Sequence, residues 1–66
     1  MQTIVNGQPR ELAENSSIAS LLAEMNLSPR QVAVEVNLEL VPRALHAEHV
    51  LREGDRLEVV TLAGGG

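Results

Sequence analysis

Residues 32–43 read VAVEVNLELVPR and contain the clearest strand pattern in the chain. Valines at every second position indicate a strand with one apolar face. The apolar pair Leu40-Val41 is shorter and stops at Pro42, which has no amide hydrogen to donate to a sheet. The stretch predicts three elements: a strand over residues 32–37, a short strand at residues 40–41, and a helical turn over residues 43–49 with Pro42 in its first position.

The N-terminal segment predicts a β-hairpin. Residues 2–5 favour β structure and lead into Asn6-Gly7, a dipeptide that suits both positive-φ positions of a type I′ turn. The second strand, over residues 8–12, contains Pro9, which cannot donate to a ladder and is therefore expected either on an edge strand or at the start of a strand.

A helix is predicted after the hairpin, because the apolar spacing changes there from two residues to the helical period. One of residues 15–17, an asparagine and two serines, is expected to cap its first turn. The helix should end near residue 25, since Pro29 disfavours helical geometry just before it. The apolar stripe consists of Ile18, Leu21, Leu22 and Met25.

The last strand is predicted over residues 56–62, after a turn at residues 53–55. Leu57, Val59 and Thr61 share one face of it, and Val60 and Leu62 share the other. The element order predicts an α+β fold in which a mixed four- to five-stranded sheet packs on one main helix. We expect a single domain over residues 1–63, followed by a flexible glycine tail at residues 64–66.

Composition narrows the classes of function. The chain has no Cys, so no disulfide or thiolate metal site is available, and it has no aromatic residue on which nucleic-acid bases would stack. Nine acidic residues against five basic ones give a net charge of −4, which argues against nucleic acid or an anionic membrane as partner. The first residues match neither a signal peptide nor a membrane span, so a cytoplasmic location is expected.

Five short motifs are spaced along the second half of the chain: residues 34–37 (VEVN), 40–43 (LVPR), 54–55 (GD), 57–60 (LEVV) and 64–66 (GGG). With the predicted element order, they make the chain resemble, over its whole length, the sulfur carriers of thiamine biosynthesis, which have the ubiquitin-like β-grasp fold. One position departs from this resemblance. Members of that family often carry Trp three residues after the arginine of Val-Pro-Arg, where this chain has His46.

The resemblance implies a sulfur-transfer cycle at the C-terminal carboxylate of Gly66. An E1-like activating enzyme would adenylate this carboxylate with ATP, and sulfur from a cysteine desulfurase or another donor system would convert it to a thiocarboxylate. Thiazole synthase would then take up the sulfur. Gly64 and Gly65 would thread the partner's active-site tunnel with Gly66, because glycine reaches backbone angles closed to other residues; Gly66 also has no Cβ to crowd the reacting carbon. No bound cofactor is implied.

Three residues are candidates for docking to partner enzymes. Val60 and Leu62 lie on the outward face of the strand that leads to the tail. Arg43 is suited to an acidic partner residue, although pairing with Glu48 of the same chain is the simpler expectation.

The remaining polar residues predict structural roles. His46 and His49 have helical spacing but no third ligand, so we expect surface histidines and no metal site. Asn37 and Asp55 are each expected to lie in a turn and to form hydrogen bonds with the local backbone. Because the chain has neither Cys nor Lys, no set of a nucleophile and an activating base is recognised in it. This indicates a carrier protein and not an enzyme.

Three other functions fit the same sequence. The small subunit of molybdopterin synthase shares the fold and the tail chemistry but serves a different pathway. A ubiquitin-like modifier would join its C-terminal glycine to target proteins. A plain interaction module would not need the glycines at all.

Overall fold

The computed structural model describes residues 1–62, and residues 63–66 lie outside the described part. The predicted domain limit at residue 63 and the predicted flexibility of residues 64–66 therefore stay predictions. The regular elements are β1 (Gln2–Val5), β2 (Gln8–Glu11), α1 (Ile18–Glu24), β3 (Val32–Val36), β4 (Glu39–Val41) and β5 (Arg56–Thr61). This order confirms the predicted α+β arrangement, with a mixed five-stranded sheet and a single α-helix within residues 1–62. No helix in that range is long and apolar enough to span a membrane.

The sheet has the strand order β2-β1-β5-β3-β4. β1 and β5 pair in parallel, and the other three pairs are antiparallel. β2 is an edge strand, as the position of Pro9 predicted. The predicted type I′ turn is confirmed, because Asn6 and Gly7 have φ angles of 51° and 81°.

All four asparagines of the chain adopt positive φ angles, at residues 6, 15, 26 and 37. A short polar side chain tolerates this conformation better than most others. Asn26 ends α1: its amide donates to the carbonyl of Ala23, and the amide of Leu27 donates to the carbonyl of Leu22. These two bonds form a Schellman motif, which closes the helix at the predicted place.

The start of α1 is capped by Ser17, one of the three predicted candidates. Its side chain accepts a hydrogen bond from the amide of Ser20, and the Ser20 side chain accepts one from the amide of Ser17. The next two amides, of Ile18 and Ala19, donate to the carbonyls of His49 and His46. A helix of seven residues is too short to be stable alone, so these tertiary bonds support it.

The core lies between α1 and one face of the sheet. Ile18, Leu21 and Leu22 are fully buried, as predicted, whereas Met25 is only partly buried. Thr61 lies on the predicted face but is exposed, so the buried part of β5 ends at Val59. Two further core residues lie outside the regular elements and were not indicated by the apolar patterns: Leu12 and Leu51.

The segment after β4 corrects two predictions. It forms one 3₁₀ turn, Arg43–Leu45, and Pro42 precedes this turn instead of opening it. His46, predicted on the surface, is 3% exposed. Its Nε2 donates to the carbonyl oxygen of Val41 at 3.0 Å, while Nδ1 is buried without a partner in the described residues. The cause is tertiary: residues 46–51 cross the start of α1, and this brings the imidazole inside.

Replacing Leu21 tests the core. Because Leu21 is fully buried against the sheet, Leu21→Ala should lower the free energy of unfolding by about 2 to 5 kcal/mol. The control is Leu45→Ala at a half-exposed position, where a loss below about 1 kcal/mol is expected. Urea unfolding followed by circular dichroism measures both. Equal midpoints for the two variants would refute the core assignment.

Replacing His46 tests the buried imidazole. His46→Ala removes the bond to Val41 and leaves a cavity, so the free energy of unfolding should fall by about 2 to 3 kcal/mol. His49→Ala keeps the backbone bond to α1 and should cost less than about 1 kcal/mol. A His46→Ala variant as stable as His49→Ala would place the imidazole on the surface after all.

Candidate functional site

The candidate site is the end of β5, from which the chain continues to residues 63–66. Leu62 is the last described residue, and its amide donates to the carbonyl of Gln31 at 2.8 Å. Thr61 pairs with Val32 at the start of β3. The chain is thus bonded to the sheet up to residue 62. The predicted roles of Gly64, Gly65 and Gly66 fall outside the described residues.

Asn6 holds the middle of β5. β1 ends at Val5, but the Asn6 side chain continues the pairing: its Oδ1 accepts from the amide of Val59 at 2.8 Å, and its Nδ2 donates to the carbonyl of Val59 at 3.2 Å. The carboxamide therefore takes the place of one further strand residue. The sequence assigned Asn6 only to the hairpin turn, because a partner 53 residues away leaves no local signal.

Asn37 and Asp55 hold the start of β5. The amide of Arg56 donates to Asn37 Oδ1 at 3.0 Å, and Asn37 Nδ2 donates to Asp55 Oδ1 at 3.0 Å. Asp55 Oδ2 accepts from the amide of Arg52, which confirms its predicted turn role. The prediction for Asn37 was half right. It lies in a turn, with a φ of 51°, but its side chain bonds residues 18 and 19 positions away instead of local backbone.

The three predicted docking residues lie towards the end of the sheet where β5 finishes. Val60 and Leu62 are 55% and 49% exposed, on the outward side as predicted. Arg43 follows β4, and the strand register brings the last residue of β4, Val41, level with Val59, two residues before the end of β5. Arg43 is exposed and has no ion pair within residues 1–62, so its expected pairing with Glu48 is wrong.

The described residues offer little chemistry of their own. In residues 1–62, no group of three or more His, Asp or Glu side chains is placed to hold a metal ion. The ionic contacts are peripheral, such as the 3.4 Å pair between Arg10 of β2 and Glu24 of α1. What the arrangement provides is a strand that is held on both sides and is bonded up to Leu62.

Known proteins are similar to this chain both in sequence and in fold. The sequence profile of the ThiS family matches residues 3–66. The chain belongs to the ThiS family. It is 39% identical to the sulfur carrier protein ThiS of Thermus thermophilus, over 94% of this chain and 95% of that protein. Its fold matches the crystal structure of the thiamine biosynthesis protein ThiS from Geobacter metallireducens with a TM-score of 0.85 and 30% identity, over all of both chains.

A larger protein is also similar. The whole chain is 39% identical to part of a thiazole synthase from Paramagnetospirillum magneticum. The chain spans 20% of the length of that protein. Segments of the ThiS family thus occur both as small proteins and within a longer polypeptide.

Replacing Asn6 tests how β5 is held. Asn6→Gly keeps the positive φ but removes both side-chain bonds to Val59, so the free energy of unfolding should fall by about 1 to 3 kcal/mol. Amide hydrogen exchange gives the local readout, and the Val59 amide should exchange faster in this variant. The Val34 amide, inside the buried part of β3, serves as internal control. Unchanged protection of Val59 relative to Val34 would contradict the bracing role of Asn6.

Proposed function

We propose that this ThiS-family chain is a sulfur carrier in thiamine biosynthesis, with the carboxylate of Gly66 as the group that carries sulfur. The observation that supports this most directly is the family match, which runs to residue 66 and so includes the three glycines. Relatives named for thiamine biosynthesis and for thiazole synthase favour this pathway over the molybdopterin alternative.

The chemistry begins with activation of the carboxylate. An ionised α-carboxylate is a poor electrophile, so an E1-like enzyme must first join it to AMP: a carboxylate oxygen attacks the α-phosphorus of ATP, and pyrophosphate leaves. A sulfur nucleophile supplied by a cysteine desulfurase or another donor system then attacks the acyl carbon, and AMP leaves. When the donor is a protein persulfide, its outer sulfur joins the acyl carbon; a thiol then breaks the sulfur–sulfur bond, forms a disulfide with the donor, and releases the thiocarboxylate. Glycine at the reacting position leaves the approach to this carbon free of a Cβ.

The folded domain serves recognition in this proposal. Val60, Leu62 and Arg43 are exposed near the end of β5, where an enzyme that takes up the tail must also contact the domain. Thiazole synthase is the proposed sulfur acceptor, because a segment similar to this whole chain forms part of a protein with that name. The chain acts as a co-substrate of its partners, binds no cofactor, and works in the cytoplasm, where ATP is supplied to the activating enzyme.

Two variants of the chain end test the proposal. Deleting Gly66 shortens the reach by roughly 3.3 to 3.6 Å, and adding an alanine after Gly66 removes the free glycine carboxylate. In both variants, ATP–pyrophosphate exchange with the activating enzyme should fall at least about 100-fold, while the free energy of unfolding changes by less than about 0.5 kcal/mol. With a sulfur donor present, the C-terminal peptide of the unchanged protein should gain the mass of an oxygen-to-sulfur exchange.

The controls separate the tail from the fold. Gln8→Ala changes an exposed residue of the edge strand β2, which β1 separates from β5, and should leave pyrophosphate exchange within twofold of the unchanged protein. Adenylation of the extended variant without trimming, or sulfur on any residue other than Gly66, would show that the carrier mechanism is wrong.

A further inference from the structure

Asn6 and Gly7 form the one Asn-Gly dipeptide of the chain. Asparagine is a thermolabile residue, because the backbone nitrogen of the next residue can attack its side-chain carbonyl carbon, Cγ. A β-carbon on that next residue crowds the attack, and glycine has none. The reaction is therefore fastest in an Asn-Gly dipeptide. The other asparagines precede serine or leucine, at residues 15, 26 and 37.

The attacking nitrogen of Gly7 is accessible in the folded chain. Within residues 1–62, the Gly7 amide donates to no backbone carbonyl. A β-carbon at Gly7 would meet no heavy atom within 4 Å beyond its chain neighbours, so the turn projects into solvent. The restraint lies in the carboxamide of Asn6, whose Oδ1 and Nδ2 are both bonded to Val59. Both bonds must break before Cγ can turn towards the Gly7 nitrogen.

These two bonds lie at the end of the pairing between β1 and β5. β1 stops at Val5, the Asn6 amide donates to the carbonyl of Leu57 at 2.9 Å, and the Asn6 side chain then bonds Val59. Beyond Val59, the bonds of β5 within the described chain run to β3 and to the carbonyl of Gln31, on the opposite side of the strand. The end of a ladder opens at a lower free energy than its middle. The Asn6 carboxamide is therefore released more readily than the core unfolds.

We propose that Asn6 is a site of self-modification, at which opening of the bonds to Val59 allows deamidation through a succinimide formed with Gly7. In the first step, the Gly7 nitrogen bonds to Cγ and the bond between Cγ and Nδ2 breaks. Nδ2 leaves as ammonia and takes up the Gly7 amide proton. Water then adds to one of the two ring carbonyl carbons, and the ring opens to aspartate or isoaspartate. The reaction consumes one water molecule, releases one ammonia, and requires no oxidant, reductant or cofactor.

Neither product restores the bonds to Val59. The carboxylate of an aspartate has no N–H, so an oxygen faces the Val59 carbonyl where Nδ2 donates at 3.2 Å in the unmodified chain. Two acceptors in contact repel each other and leave the carbonyl without a partner. Isoaspartate also lengthens the main chain by one methylene group, which disturbs the register of the two-residue turn. Modification is irreversible, so chains with a loosened β5 accumulate with the time that the strand spends open.

The second brace of β5 gives a matched comparison within the chain. Asn37 has the same φ of 51° as Asn6 and also lies first in a two-residue turn. Its carboxamide is likewise bonded through both polar atoms, to the Arg56 amide and to Asp55. The residue that follows differs, because Leu38 places a β-carbon and a branched side chain beside the attacking nitrogen. The brace at the start of β5 is therefore chemically durable, whereas the brace at its middle is labile.

The first experiment locates the reaction by incubating the full chain above its urea midpoint at mildly alkaline pH. Cleavage after arginine separates the two asparagines into residues 1–10 and 31–43, and mass spectrometry detects the change from amide to acid and the isoaspartate. Asn6 should deamidate at least about tenfold faster than Asn37 and yield both acids. Gly7→Asp adds a β-carbon in a residue that tolerates positive φ, so the rate at Asn6 should fall at least about tenfold. Leu38→Gly should bring the rate at Asn37 to within about threefold of that at Asn6.

The second experiment tests whether the bonds to Val59 control the rate in the folded protein. The Val59 amide donates to Asn6 Oδ1, so the opening that permits its hydrogen exchange is also the opening that frees the carboxamide. Folding should slow deamidation at Asn6 by the same factor as hydrogen exchange at Val59, within about threefold. Urea below the midpoint should raise both rates in proportion. The variant Gly7→Asp keeps both bonds and should keep the protection of Val59.

The third experiment tests the consequence with Asn6→Asp, which reproduces one product. The Val59 amide should exchange at least about tenfold faster than in the unchanged protein, while the Val34 amide of β3 changes less. Equal exchange at Val59 in the two proteins would show that the modification does not loosen β5.

Two further outcomes overturn the inference. Deamidation at Asn6 that is no faster than at Asn37 above the urea midpoint shows that Asn6 is no special site. Deamidation in the folded protein at the unfolded rate shows that the bonds to Val59 give no control. The experiments use no partner enzyme, so this inference and the proposed function stand or fall separately.

Discussion

β5 has a neighbour on each side, and neither neighbour is adjacent to it in the chain. It pairs in parallel with β1 and antiparallel with β3, while the segments 6–31 and 37–55 lie between these strands in sequence. A parallel pair cannot be closed by a tight turn, so no local connection fixes the position of β5. Its place depends on long-range bonds from Asn6, Asn37 and the carbonyl of Gln31. The helix and the two hairpins take their relative positions from this central strand.

The elements that the sequence could predict are those with a local cause. The valine alternation of β3 follows from a period of two residues, and the Asn6-Gly7 turn follows from two residues that tolerate positive φ. The stripe on α1 was equally clear, since Ile18, Leu21 and Leu22 are all buried.

The features that could not be predicted from the sequence are caused by residues far away in the chain. His46 is buried because the segment after β4 crosses the start of α1, and a polar residue gives no hydrophobic signal of this. Asn6 braces a strand 53 residues away, and Asn37 does the same from the next hairpin. The sequence did contain a sign that the turn of Asn37 is unusual. A leucine follows Asn37 in a two-residue loop, where Asn-Gly is usual.

The small size of the domain raises the weight of each local defect. At roughly 0.05 to 0.15 kcal/mol per residue, 66 residues give a total stability of only about 3 to 10 kcal/mol. The core contains no aromatic residue, so it depends on close packing of aliphatic side chains. In such a domain, one residue with unfavourable backbone geometry, such as Leu38 with its φ of 72°, is an appreciable loss. The side chains of Asn6 and Asn37 that brace β5 have both of their polar groups hydrogen-bonded.

The bracing of β5 suits the proposed function, in which the reactive group is the carboxylate of Gly66. Leu62 is bonded to the sheet, and four residues follow it, so the Gly66 carboxylate can lie at most about 13 to 14 Å farther on. In the proposed function, side chains of the domain therefore need not contact the reacting carbon, and the partner enzymes would supply the catalytic groups. The domain holds the chain in place up to Leu62, whose amide donates to the carbonyl of Gln31. The proposed transfer therefore depends on the accurate position of β5, from which the chain continues to residue 66.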